Sequence, residues 1–532
     1  MSINLSNISY SHIDKTVLFE NLNLSLTEGS KAGFVGNNGS GKSTLLQIVA
    51  GVLPQSSGEV LISQKPYYVP QHLGQWNDMT IAQVLKIDHR LRALKSILQG
   101  DASEKNFAIL NDDWNIEQKA AAALSFWDLE IRDYDIKMSS LSGGEKTKIF
   151  LAGIGLYNPK VVLLDEPSNH LDFAAREKLY SLIKKSDATM LVVSHDKTLL
   201  NGLNIIFELQ KHKIKTYGGN FKFYCEQKKL ETDALQQDIV SAEKDLRKAK
   251  RVERQTIERQ NKMESRGNKQ QQQEGTGKAM MDKMKNDAQK TSARLRNVHS
   301  DKVGDITQQV ITLRKQAPDK EQIKINLDNS SLHPNKILIK AKSINFSYNG
   351  EKMLWKQPLT FTIASGERIL LRGGNGKGKT TLINILLGKL QPSIGNIETA
   401  QTSSIYIDQD YCLLDSNLSI FEQAQAFNAS ALLEHEIKLR LSRFLFDQTQ
   451  WQQPCNSLSG GERMRLVLCC LTIRSQAPEI IILDEPTNNL DIQNTEILTA
   501  SIASYQGTLI VVSHDEHFIE GINIGKTLKI DH

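Results

Sequence analysis

"FVGNNGSGKSTLLQIVAG" runs from Phe34 to Gly51, and "LRGGNGKGKTTLINILLG" runs from Leu371 to Gly388. Each joins a short apolar run to a glycine-rich loop and then to a segment with helical apolar spacing. That strand, loop and helix order is the context of a phosphate cradle, in which glycines let successive backbone N–H groups face an anion at a helix N-terminus. The first cradle comprises Gly36, Asn37, Asn38, Gly39, Ser40, Gly41, Lys42, Ser43 and Thr44. Its counterpart comprises Gly373, Gly374, Asn375, Gly376, Lys377, Gly378, Lys379, Thr380 and Thr381. Lys42 and Lys379 are placed to neutralise the β and γ phosphates of a nucleotide, and Ser43 and Thr380 to ligate Mg²⁺. One such loop is no more than a turn before a helix until it recurs in the same context.

It does recur, as part of a larger repeat. "LSGGEKTK" at Leu141 returns as "LSGGERMR" at Leu458, "VVLLDEPSNHLD" at Val161 as "IIILDEPTNNLD" at Ile480, and "LVVSHD" at Leu191 as "IVVSHD" at Ile510. The order is the same in both halves, so two copies of one domain stand in tandem. The runs ending at Asp165 and Asp484 are apolar at every position and too short for helices, as expected of central parallel strands covered on both faces. Asp165 and Asp484 at those strand ends are expected to hold the magnesium shell. Glu166 and Glu485 are expected to orient and deprotonate the attacking water. Adjacent acids at a strand end also occur in solvated loops and helix caps, but the upstream phosphate loop and the following Pro167 and Pro486 favour chemistry.

The 532-residue chain suggests three or four domain-sized units. Its five cysteines, Cys225, Cys412, Cys455, Cys469 and Cys470, form no CxxC pair, which fits a reducing compartment and argues against zinc. The N-terminal residues lack the basic and apolar regions of a signal peptide, and no apolar stretch approaches the roughly 18 residues that span a bilayer. The expectation is a soluble cytoplasmic protein. Net charge is +5, but 16 Lys or Arg against 7 Asp or Glu lie between Lys244 and Arg296, so the positive charge is concentrated mid-chain.

The "LSGGE", "DEP" and "SHD" segments, in this order and in both copies, resemble ATP-binding-cassette ATPases. The resemblance implies an α/β fold: two tandem ATP-binding-cassette (P-loop NTPase) domains, here 1–224 and 337–532, with ATP sandwiched between them. It implies that Ser142, Gly143 and Gly144 close over the nucleotide held by the other copy, and that Ser459, Gly460 and Gly461 do the reverse. A Ser-Gly-Gly turn at a helix N-terminus is itself an anion site, so ATP would join two surfaces that otherwise bind weakly. By the same resemblance Gln71 and Gln409 contact Mg²⁺ and water, while His195 and His514 contact the γ-phosphate. Tyr348 in "FSYNG" looks like the family's adenine-stacking aromatic. Alignment puts His12 at that place in the first copy, with Tyr10 two residues earlier, which leaves stacking there open. Lys377 adds an unusual positive charge to the second loop.

A transporter ATPase subunit, working with a separate membrane protein, is the alternative reading. Glu145 and Glu462 follow "LSGG" where transporter subunits mostly carry Gln, and "SNHLD" is close to the form typical of the ABC-F subfamily. "TYGGNFKFYCEQKK" (Thr216 to Lys229) resembles the ABC-F passage into the interdomain linker. The resemblance therefore implies a monomeric, ribosome-binding ATPase that projects a long antiparallel α-helical hairpin linker toward the peptidyl transferase centre. It would be released on ATP hydrolysis, acting as a translation factor or in antibiotic resistance. Its partners would be ribosomal RNA and tRNA; its cofactors, ATP and Mg²⁺.

The linker is expected over 225–336, with its tip about 265–280. Leu235, Ile239, Ala242, Leu246 and Ala249 recur at helical seam spacing, and Met281, Met284, Ala288, Thr291, Leu295 and Val298 do so on the return. The segment "GNKQQQQEGTGK" between them is polar enough to enter a wet, RNA-lined cavity, although a solvated turn would look the same. Gln71 to Leu141 spans about 70 residues against about 49 from Gln409 to Leu458, so the first cassette carries a short arm insertion at most. Only 18 residues follow His514, and no C-terminal extension is expected.

Overall fold

The computed structural model describes residues 2–101, 103–210, 213–271, 294, 297–314, 336–350, 352–429, 431–474 and 476–530. The chain divides into two units: one made of Met1–Phe221 with Gln322–His532, which holds both cassettes, and one spanning Lys222–Glu321.

In the first cassette the runs that read as central strands do pair in parallel. The sheet order is Tyr67–Val69, Val161–Asp165, Thr189–Val193, Lys31–Val35, Ile205–Gln210, with Lys213–Tyr217 added antiparallel at the edge. Val161–Asp165 and Thr189–Val193 are buried at every position, which explains why they are apolar without alternation. A smaller antiparallel sheet of Ile3–Ser11, Val17–Leu26 and Ser57–Ile62 packs over it. Between the two lies the helix Lys42–Val49, whose Leu45 and Leu46 are fully buried in a core with Ile3, Leu22, Phe34 and Leu163.

The second cassette repeats this plan. Its parallel order is Ser404–Ile407, Ile480–Asp484, Thr508–Val512, Arg368–Arg372, Lys526–Lys529, with the helix Lys379–Leu386 under the antiparallel trio Ile337–Asn345, Leu359–Ala364 and Ile394–Thr399. Because the strand ends and the phosphate-loop helices occupy matching places, the repeated motifs gather at the carboxyl ends of the strands, as open α/β sheets require. The extra residues of the first cassette form helical structure. Asp88–Leu98, Glu104–Leu110 and Ile116–Phe126 occupy the region where the second cassette has Glu434–Arg443.

In the other unit, the helix Phe221–Gln271 is 51 residues long, about 76 Å at 1.5 Å per residue. A second helical stretch runs through 297–314. Along the first, Leu235, Ile239, Ala242, Leu246 and Ala249 are each covered or half-covered, as their spacing predicts. On the return stretch the seam is shifted by one residue from the sequence expectation. Val298 is 57% exposed, and the covered stripe is His299, Val303, Ile306, Val310 and Leu313. The larger β-branched and Leu side chains downstream set the rotation of the helix, and Val298 falls outside the stripe they define. Val310 is 5% exposed, and Arg314 pairs with Glu243 at the level of Ala242. The remaining return positions, Met281 to Leu295, and most of the expected tip lie outside the described residues; the helix covers the tip's first part, through Gln271. Among the described residues no helix is long and apolar enough to cross a membrane.

Candidate active site

Each phosphate loop enters its helix through a glycine that no other residue could replace without strain. Gly41 has φ +98°, and a Cβ there would lie 2.9 Å from Leu18 and Phe19. Gly378, at φ +84°, would meet Leu354 and Trp355 in the same way. The loops are held from inside by their lysines. Lys42 Nζ donates to the carbonyls of Gly36 (2.8 Å) and Asn37 (3.0 Å), and Lys379 Nζ to those of Gly373 (2.8 Å) and Gly374 (3.3 Å). In the second loop the indole of Trp355 also donates to the Lys377 carbonyl at 3.1 Å. Burial lowers the pKa of both lysines against the pull of the nearby acids.

Beside each lysine, oxygen atoms converge. Ser43 Oγ lies 3.1 Å from Asp165 Oδ1 and 3.5 Å from Gln71 Oε1, and Thr380 Oγ1 donates to Asp484 Oδ2 at 3.2 Å. Tyr68 and Tyr406, three residues before the glutamines, donate to the same two aspartates at 3.4 and 3.1 Å. Burial pushes Asp165 up to about 6 and raises Asp484 as well. Hydroxyl, amide and carboxylate oxygens around a carboxyl short of counter-charge form a donor set that suits Mg²⁺.

Glu166 and Glu485 both sit at φ 49°, left-handed for non-glycine residues. Their amides hold the turn by donating to Val193 O (2.9 Å) and Val512 O (2.8 Å). The turn places each carboxyl against a histidine: Glu166 Oε1 lies 3.4 Å from His195 Nε2, and Glu485 Oε1 lies 3.3 Å from His514 Nε2. Neither is an ion pair at neutral pH. Burial, then Lys42, takes His195 down to about 3, and burial, then Lys379 and Arg176, does the same to His514. Burial raises Glu166 well above the carboxylate range and Glu485 to about 7. Glu166 Oε1 and Glu485 Oε1 are buried without a hydrogen-bond partner, so each presents an unsatisfied acceptor, the property required of a base that orients water.

The two Ser-Gly-Gly turns are capping boxes. Glu145 accepts from the amide of Ser142 at 2.8 Å and donates its own amide to Ser142 Oγ, and Glu462 does the same with Ser459 at 2.9 Å. Each turn faces the other cassette's phosphate loop. A cavity of about 620 Å³ is lined by Asn38, Lys42, Ser43, Gln71, Glu166 and His195 from the first cassette and by Ser459 and Gly460 from the second. A smaller one, about 240 Å³, is lined by Asn375, Gly376, Gln409, Glu485 and His514 together with Ser142, Gly143 and Gly144. Gly461 packs against Asn494 of its own cassette.

Residues that sequence reasoning passed over stitch the halves together reciprocally. Asp491 Oδ2 accepts from the Asn38 amide at 3.3 Å, and Asp172 Oδ2 from the Asn375 amide at 3.4 Å. His170 and Asn489, at φ 63° and 61°, turn their carbonyls toward Asn375 Nδ2 (2.7 Å) and Asn38 Nδ2 (3.1 Å). The signal was present in the repeated "LD" of "SNHLD" and "NNLD". His12 lines the first cavity while Tyr10 packs on Phe19, so histidine stands where the second copy has Tyr348. Tyr348 is 69% exposed and its hydroxyl lies 2.7 Å from Thr381 Oγ1.

The family model described as "ABC transporter" matches residues 19–169 and 356–488, just over half of the chain. The chain belongs to the ABC transporter family. It binds and hydrolyses ATP, and its tandem cassettes with a long helical insertion are of the ABC-F type. It is similar to ABC transporter F family member 5 of Arabidopsis thaliana, 28% identical over 559 residues covering 99% of this chain and 75% of the relative. It is also similar to the ribosome protection protein VmlR of Bacillus subtilis, 28% identical over 525 residues covering 97% and 85%. A solved structure of the archaeal ribosome recycling factor aABCE1 with the stalk protein aP1 shares the fold at TM-score 0.59 and 20% identity, over 97% of this chain and 86% of the other.

Proposed function

We propose that this ABC-F ATPase acts on the ribosome. In this reading its ATP-bound, closed form binds there, carries the linker toward the peptidyl transferase centre and leaves after hydrolysis. The observation that carries the reading is similarity along nearly the whole chain, linker included, to a protein named for ribosome protection. The concentration of Lys and Arg between Lys244 and Arg296 supports it, because cationic arms bind RNA phosphates in a salt-dependent way. Protection of the ribosome against an inhibitor is the form of the activity that this similarity favours, with a translation-factor role as the alternative outcome.

Within this reading one chain holds both ATP sites. Lys42 and Lys379 neutralise the phosphates, Ser43, Gln71 and Asp165 hold Mg²⁺ in the first site, and Thr380, Gln409 and Asp484 hold it in the second. The metal supplies charge neutralisation at the phosphates. Glu166 and Glu485 orient and deprotonate water, His195 and His514 face the γ-phosphate, and the opposite Ser-Gly-Gly turns close the sites.

The test is cosedimentation of the Glu166→Gln, Glu485→Gln double variant with ribosomes, with and without ATP, at two salt concentrations. ATP-dependent comigration that weakens with salt is expected. If the variant stays at the top of the gradient with ATP bound, the ribosomal reading is wrong and a membrane partner should be sought. Where comigration is found, protection is read as a raised inhibitory concentration on expression, with drug uptake unchanged.

A further inference from the structure

The two composite sites are built from the same motifs, but the contacts that cross between cassettes are not the same at both. Arg176 lies one turn beyond Asp172 on the helix Phe173–Lys185, and its side chain is only 11% exposed. Its Nε donates to the Leu171 carbonyl at 3.2 Å, fixing the guanidinium against its own cassette. Its Nη1 crosses to the second cassette and donates to the backbone carbonyl of His514 at 3.1 Å. The matching position in the second copy is Thr495, whose hydroxyl turns back to the Asp491 carbonyl of its own helix at 2.9 Å. A second cationic contact reinforces the difference. Arg372 lies 4.8 Å from the centroid of the Phe173 ring, and the equivalent residues of the repeat are Val35 and Ile492.

Arg176 also reaches back toward the first site. Its Nη1 lies 3.9 Å from Asp196 Oδ2, next to His195, and the residue lines both cavities. One side chain therefore touches the histidine-bearing loops of both sites, but it bonds the backbone only of the second.

We propose that Arg176 is a positioning residue that makes hydrolysis at the second ATP site depend on contact with the first cassette. It holds the backbone of His514 so that the imidazole stays against Glu485 (3.3 Å) and Lys379 (3.2 Å). Separation of the cassettes breaks the bond from Arg176 and frees the histidine loop, so the second site is assembled only in the closed form. The first site has no matching donor from position 495; the contact that crosses there, Lys197 Nζ to Glu496 Oε1 at 3.0 Å, joins two side chains, Glu496 largely exposed, and does not hold the backbone of His195. The proposal rests on Glu485 and His514 acting in hydrolysis at the second site.

The experiment is single-turnover ATP hydrolysis by the full-length protein, so that slow variants are still read. Arg176→Ala is placed in a Glu166→Gln background, where the second site does the chemistry, and in a Glu485→Gln background, where the first does. Loss of position lowers the rate constant of the chemical step and spares ground-state binding. In the Glu166→Gln background the single-turnover rate constant should fall about 10-fold with the half-saturating concentration within about 2-fold, and this loss should exceed that in the other background by about 5-fold. Arg176→Lys, which keeps a charge and a donor, should recover part of the loss, and Arg176→Met, which keeps the length of the side chain without a donor, should behave as Arg176→Ala and serves if the alanine variant folds poorly. Equal losses in both backgrounds, or no loss in the Glu166→Gln background, would overturn the proposal. If Glu485→Gln alone leaves turnover unchanged, the assignment of that carboxylate is what fails, and the proposal falls with it.

Discussion

At the scale of single residues, the site carries a conflict that nucleotide binding is suited to relieve. Glu166 and Glu485 are carboxyls raised by burial, facing histidines that burial keeps neutral. A carboxyl whose pKa is raised on folding contributes stability below its unfolded value, and that contribution is lost as pH rises through the folded value. For Glu485 burial sets the window, from the ordinary 4.5 of a glutamate to about 7, with Lys379 and Arg176 limiting the rise and Asp484 adding to it. The nucleotide-free, metal-free protein is therefore expected to lose thermal stability between about pH 5 and pH 8. The Glu166→Gln, Glu485→Gln double variant should show a shallower loss. Melting temperatures across that range in the presence of a chelator decide it, and identical slopes would show that these carboxyls are not strained.

Among elements, the signature helices show how one local device serves two purposes. The capping boxes of Ser142 with Glu145 and Ser459 with Glu462 fix the first turn whose amides face the opposite phosphate loop. Glu145→Ala should speed hydrogen exchange in residues 143–147 by about 2- to 5-fold, the equivalent of about 0.5–1 kcal/mol for a lost cap. Glu145→Gln should leave exchange near the parent, since an amide oxygen completes the box equally well. The same reasoning means that capping does not explain why glutamate rather than glutamine follows "LSGG" in both copies.

For the whole molecule, the division into a two-cassette unit and a linker unit makes separable effects the natural expectation. Deleting Gly267 to Lys278 should leave ATP turnover within about 2-fold of the parent, because these residues belong to the unit separate from the cassettes, while altering the effect on translation. Turnover by the purified protein and output from a coupled translation reaction measure the two halves of that statement. An unchanged translation effect would reduce the segment to a connector.

Much of the cassette fold was legible in the chain because its signals are local. The fully apolar strands ending at Asp165 and Asp484, the glycine loops and the helical spacing after them each lie within a few residues, and the repeat supplies every motif twice. Beyond the Ser-Gly-Gly turns that the family resemblance implied, the contacts across the cassettes were not legible, because residues such as Asp172 and Asn375 are 203 positions apart and only packing brings them to 3.4 Å. The linker shows the same limit within one helix: spacing marks both possible stripes, and the burial of Val310 rather than Val298 decides the rotation. The sequence by itself determined the two nucleotide-binding domains and their chemistry, since backbone periodicity and side-chain type are properties of neighbours. Only the tertiary structure decided that Arg176 meets the carbonyl of His514 while its counterpart Thr495 turns back on its own helix, because that choice depends on which surfaces close on each other.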